Sequence, residues 1–195
     1  MTFRATAQVL DVLGVCATIT VFALYATKST AQNAKEGQPQ TEINASPIYD
    51  ITIPAGYRDW RLISVNQLAG SKLKQLRAQL GNNIAMKAFR EGKLPFPDGT
   101  IIAALHWNEA SSDENNKVLA SGFPGAALQS SVAESAVNVQ FMVKDSKKYA
   151  ATGGWGFADF KNGKPGDAAL HKTCFPCHQP AKDRDYVFTR YAPTP

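Results

Sequence analysis

The chain is predicted to be an α+β protein, predominantly antiparallel β-sheet with a few short helices, in a single domain. Three observations carry that prediction. "YRDWRLISV" at 57–65 alternates, with Trp60, Leu62 and Ser64 set against Arg61, Ile63 and Val65. "GTIIAALHW" at 99–107 and "AVNVQFMVK" at 136–144 are rich in the β-branched and aromatic residues that suit a pleated surface. Only one stretch, "NNIAMKAFREGK", carries a full set of helix signals: an asparagine at its start able to cap free N–H groups, and Gly92 at its end.

The elements follow in order. Arg4 precedes an apolar run, "VLGVCATITVFALYA" at 12–26, and "STA" at 29–31 offers the small residues a signal peptidase reads. That order predicts a secretory signal peptide over residues 1–31 and a periplasmic protein. The alternative is an uncleaved N-terminal anchor, although the apolar run falls short of the roughly 20 residues a spanning helix needs. Val15 stands before Cys16 where a lipoprotein signal would place a small residue, so Cys16 leaves with the leader. Residues 32–46 are polar and unpatterned, a flexible lead-in, and 47–195 form the domain.

Within that domain "SKLKQLRAQLG" is ambiguous, because Leu73, Leu76 and Leu80 also fit a helical stripe. The long polar span 108–135 reads as a loop. "GGWGFADF" followed by "KNGKPGD" reads as a strand and then a turn. Hydrophobic residues at 44% and charged ones at 19% are enough to build a core. The net charge of +5 is scattered, without a basic block, and this argues against nucleic-acid binding.

With Cys16 gone, the mature chain keeps Cys174 and Cys177, in "HKTCFPCHQP". A disulfide between them would close a loop too short to stabilise much. Cys-x-x-Cys-His is the attachment signature for c-type haem. Two thiols on one helical turn can each add to a haem vinyl group, and His178 then lies where it can ligate the iron. A structural zinc site lacks a second cysteine pair, with only His106 and His171 to spare. A thioredoxin-like redox pair lacks its strand-to-helix context, and a chance motif is the remaining alternative. The predicted cofactor is one covalently attached haem c.

Three further stretches, "PFPDGTII" at 95–102, "VKDSKKYAATGGWGF" at 143–157 and "DYVFTRYAP" at 185–193, complete a pattern with CFPCH. Together they resemble the cytochrome P-460 family, from about Tyr57 to Pro193. The resemblance implies a small β-rich fold, often homodimeric, with one c-type haem whose iron is five-coordinate. The open face then takes a small diatomic or hydroxylamine-type ligand, and a redox partner protein of unknown identity exchanges electrons with it. Founding members oxidise hydroxylamine and bond a lysine to the haem ring, while the cytochrome c′-beta branch binds nitric oxide or carbon monoxide beneath apolar aromatics. Counted from "DGT", the lysine position falls at Ala104, which cannot form that bond. The distal carboxylate of the founding enzymes falls at or near Gln140, and residues 136–143 contain no Asp or Glu. Phe96 stands where the gas-binding branch places an aromatic cap. Lys117 and Lys144 are alternative candidates for a bond to the ring.

Other residues keep two readings. His106 shares strand parity with Ala104, so it is either a distal ligand or proton donor, or a histidine satisfied at the pocket rim. Met142 shares parity with Gln140 and is either core or the sixth ligand of a six-coordinate electron carrier. His171 is expected as a surface group or a support behind the haem site. Arg190 pairs with a haem propionate or with a surface carboxylate. Trp155, Phe157 and Tyr186 are core or haem-packing residues.

Overall fold

The computed structural model describes residues 44–193. The predicted signal peptide, Cys16 and nearly all of the lead-in lie outside the described residues. Six strands form one sheet in the order β1 to β6, every neighbouring pair antiparallel. They are β1 (Arg61–Gly70), β2 (Leu73–Gly81), β3 (Ile101–Ser111), β4 (Ser131–Lys144), β5 (Trp155–Lys161) and the short β6 (Lys164–Pro165). Helix α1 (Asn83–Glu91) joins β2 to β3, α2 (Asp113–Gly122) joins β3 to β4, and α3 (Ala168–His178) follows β6. This is the predicted α+β architecture. No helix among the described residues is long and apolar enough to cross a membrane.

Helix α1 forms as its end signals predict. Asn82 Oδ1 accepts from the Ala85 N–H at 2.9 Å, and Gly92 closes the helix with φ 60°. In that left-handed conformation glycine pays no Cβ penalty. Asn82 also donates from Nδ2 to the Gly99 carbonyl at 2.8 Å, joining the helix start to the loop before β3.

Two local expectations are corrected and one ambiguity is resolved. Residues Tyr57–Asp59 form a single 3-10 turn that buries Tyr57, and the strand runs instead from Arg61 to Gly70. "SKLKQLRAQLG" is strand β2: pairing with β1 and β3 on both edges overrides a helical leucine spacing. The span 108–135 is structured rather than looped. Strands β3 and β4 continue to pair through Glu109 with Ala133 and Ser111 with Ser131, and α2 starts on a Ser112 cap. Composition misled here because α2 buries none of its residues. Its backbone groups are satisfied by helix hydrogen bonds, which a polar sequence makes equally well.

The sheet packs a core on one face. Ile63, Ala103, Phe141, Ala158 and Phe160 are nearly solvent-free, with Ala85, Met86 and Ala88 of α1 also buried. Phe141 meets Tyr57 and Phe160 edge-on, with ring centroids at 5.1 and 5.9 Å. The alternate residues of the same strands point to the opposite face, and there the candidate site lies.

Candidate haem site

The sheet's second face is organised in cross-strand rows. One row runs Gln79, Ala104, Gln140, Asp159, and the next runs Asn66, Arg77, His106, Asn138. On the other side of the first row Ile102, Met142 and Phe157 are paired. Side chains of these rows and of α3 enclose one cavity of about 270 Å³. Cys174, Cys177 and His178 line it from α3, and Ala104, His106, Gln140 and Met142 line it from the sheet. The predicted attachment residues and the predicted distal residues of β3 and β4 therefore share a single cavity.

Helix α3 is capped by Asp167, whose Oδ1 accepts from the Leu170 N–H at 2.8 Å. One helical turn at its end carries both thiols and His178, as attachment to a single ring requires. The His178 imidazole lies between Phe157 and Phe188, with ring centroids 4.9 and 5.1 Å away. Its Nδ1 is 2.7 Å from the Tyr186 carbonyl, so Nδ1 holds the proton and donates it. Nε2 is left as the free nitrogen, the arrangement usual for a metal-ligating histidine. Burial lowers the pKa of His178, partly opposed by the bond to Tyr186, which favours the neutral form that ligation needs. The supporting turn is strained: Asp185 and Tyr186 have φ 53° and 64°. Left-handed conformations cost non-glycine residues roughly 1–2 kcal/mol each.

His106 is only 4% exposed. Burial, and then the Arg77 charge beside it, lower its pKa to about 4, against weaker opposing effects of Asn138 and Asp159. It is a neutral imidazole at physiological pH. Asn138 lies close to it, yet Asn138 Oδ1 completes no hydrogen bond of good geometry.

Sequence reasoning missed Asp159. It sits in the apolar strand β5, 7% exposed, opposite Gln140, and it lines the cavity. It accepts hydrogen bonds from Asn138 Nδ2 and, at 2.8 Å, from Gln140 Nε2. The site therefore has a carboxylate after all, on the neighbouring strand from the one where the resemblance looked for it. The available signal was a lone acid inside "GWGFADF". Phe188, Arg77 and Asn66 were also missed, because nothing in their local patterns points to a shared cavity.

Several expectations change. Phe96 is no cap over this cavity: it is buried between Phe89 and Trp155, at 4.9 and 5.8 Å, and does not line the site. Lys117 is exposed on α2, and Lys144 is buried in an ion pair with Asp185; neither lines the cavity. Arg190 is exposed and also outside it. His171 is fully buried rather than a surface group. It accepts from the Asp159 N–H at Nε2 (3.1 Å) and donates from Nδ1 to the Asp167 carbonyl (2.7 Å), pinning α3 to β5. Trp155 is core, while Phe157 lines the cavity.

The residues fit a c-type haem. Both thiols are free, and burial, with the nearby Asp159 charge, raises the Cys174 pKa to about 11. Among the described residues no group of three or more His, Cys, Asp or Glu is arranged to hold a metal ion. Leu170 and Phe188, 43% and 51% exposed, leave apolar surface at the cavity that a flat apolar ring would cover. A family model described as Cytochrome P460 matches residues 54–189. No curated protein matches the chain.

Proposed function

The chain belongs to the cytochrome P460 family, whose members are haem c cytochromes, and on that premise we propose an exported mono-haem protein with an open distal site. Cys174 and Cys177 hold the ring through thioethers, His178 ligates the iron, and the opposite side binds small nitrogen species such as NO or hydroxylamine for redox chemistry. Bound there, the haem supplies an iron that takes a small ligand and changes oxidation state. The predicted leader supports a periplasmic location, and the family resemblance supports a homodimer served by a separate redox partner protein.

One observation carries the open site. Ala104, in the middle of its row, is the shortest of the candidate distal side chains, and it lines the cavity between the rows of His106 and Met142. An alanine there leaves room for a diatomic or hydroxylamine-sized ligand and offers the iron no donor atom. It also cannot bond to the ring, which argues against efficient hydroxylamine oxidation. Titrating the ferrous holoprotein with CO and NO tests the reading. Expected is a high-spin spectrum that converts on adding either gas; a low-spin spectrum indifferent to CO would refute it.

Asp159 favours a second reading, an oxidase. A buried carboxylate in the cavity can accept a proton from a bound N–H or O–H group, an effect typically worth about 10²–10⁴-fold in rate. Sustained hydroxylamine turnover with an artificial electron acceptor would favour it.

A further inference from the structure

The three stretches that flank the haem motif in the family pattern converge on one buried ion pair. Lys144 Nζ donates to Asp185 Oδ1 and Oδ2 at 2.8 and 2.9 Å, and the two side chains are 6% and 9% exposed. Lys144 Nζ also donates to the Gly153 carbonyl at 3.1 Å and lies 5.0 Å from the Trp155 ring centre. Asp185 Oδ2 accepts from the Phe96 N–H at 2.8 Å. So "PFPDGTII" supplies a backbone donor, "VKDSKKYAATGGWGF" a cation and a carbonyl, and "DYVFTRYAP" the carboxylate.

Asp185 is the first residue of the strained turn that ends in Tyr186, the residue whose carbonyl receives the His178 proton. Backbone bonds from Asp185 N to Lys182 O and from Tyr186 N to Ala181 O, both 2.9 Å, tie the turn to the segment after α3. Packing fixes it from the other side. A side chain at Gly153, φ 67°, would run into the Tyr186 ring, and Phe175 of α3 lies 5.4 Å from that ring. A buried ion pair is weak evidence for stability as such, because desolvation offsets its attraction. Its better-supported use is to select one geometry, and here the geometry it selects is that of the acceptor behind His178.

We propose that the Lys144–Asp185 pair is a positioning device for His178: it holds the 185–186 turn so that the Tyr186 carbonyl keeps the Nδ1 hydrogen bond, which aims Nε2 into the cavity and sets its donor strength. A histidine that donates from its far nitrogen is a more basic ligand, and weakening such support typically changes metal-site behaviour about 10–100-fold. A weaker donor favours ferrous over ferric iron, so loosening the turn raises the reduction potential. The proposal rests on His178 as the iron ligand.

Asp185→Asn keeps the size and an acceptor for Phe96 but removes the charge. In the holoprotein it is expected to lower the iron–histidine stretching frequency in the ferrous resonance Raman spectrum. It is also expected to shift the ferrous-to-ferric ratio about tenfold, an upward move of about 59 mV for one electron. Lys148→Met serves as control, since it removes an exposed ion pair with Asp50 (3.6 Å) and should move neither readout. Wild-type frequency and potential in Asp185→Asn holoprotein, or an equal shift in the control, would overturn the proposal. Should Asp185→Asn not accumulate, the wild type still decides: a pinned His178 Nδ1 proton exchanges slowly with deuterium, and exchange within mixing time overturns the device. A wild type with no iron–histidine band at all would fail the haem-ligand reading instead.

Discussion

His106→Gln should make the protein less sensitive to acid. The folded pKa of His106 is about 4, set first by burial and then by Arg77, against about 6.5 in an unfolded chain. Above pH 6.5 the side chain is neutral in both states and contributes no pH dependence. As pH falls below 6.5 the unfolded state binds a proton that the folded state refuses, so stability is lost. The loss continues until pH 4, where the folded state also binds it. At about 1.36 kcal/mol for each pH step of one between the two values, the cost reaches about 2 kcal/mol at pH 5 and about 3 kcal/mol at pH 4. Glutamine keeps hydrogen-bonding capacity and does not titrate. Urea unfolding of wild type and His106→Gln at pH 7, 6, 5 and 4 isolates this contribution, because the carboxylates are common to both. At a slope of about 2 kcal/mol per molar urea, the wild-type midpoint should drop about 1 M further than the variant's between pH 7 and 5. Parallel losses in the two proteins would refute the argument, and would mean that the buried imidazole charges as freely when folded as when unfolded.

Other expectations concern the cavity and core. Holoprotein made with c-type attachment machinery should keep its haem in acid acetone, whereas Cys174→Ala/Cys177→Ala should release it, as mass spectrometry would read. Met142→Leu should leave the ferrous spectrum unchanged, because an open site does not use the thioether; a change from low to high spin would identify Met142 as a sixth ligand. Asp159→Asn should lower any hydroxylamine turnover the wild type sustains by about 10²–10⁴-fold while leaving CO affinity unchanged, the signature of a lost proton acceptor. Phe141→Ala, deep in the core with ring contacts to Tyr57 and Phe160, should cost about 3–5 kcal/mol in unfolding free energy by leaving a cavity.

Much of this protein is written in local sequence. The Cys-x-x-Cys-His spacing singles out the candidate haem turn wherever the chain folds, because three residues on one helical turn share a face whatever surrounds them. Asn82 and Gly92 bound α1 through contacts within a few residues, and strand parity alone puts Ala104 and His106 on one side of β3. Tertiary structure decided what depends on partners distant in the chain. Gln140 and Asp159 lie nineteen residues apart, and only the β4–β5 register brings them together, so a search along β4 missed the carboxylate. Phe96 and Lys144 occupy positions the motifs singled out, yet their roles follow from Asp185, 89 and 41 residues further on. Burial of His171 depends on α3 folding back onto β5, a contact that its nearness to CFPCH does not reveal. Spacing along a chain dictates which side chains share a face; hydrogen-bond registry between strands, set by the sum of many weak cross-strand and packing contacts, dictates which faces meet.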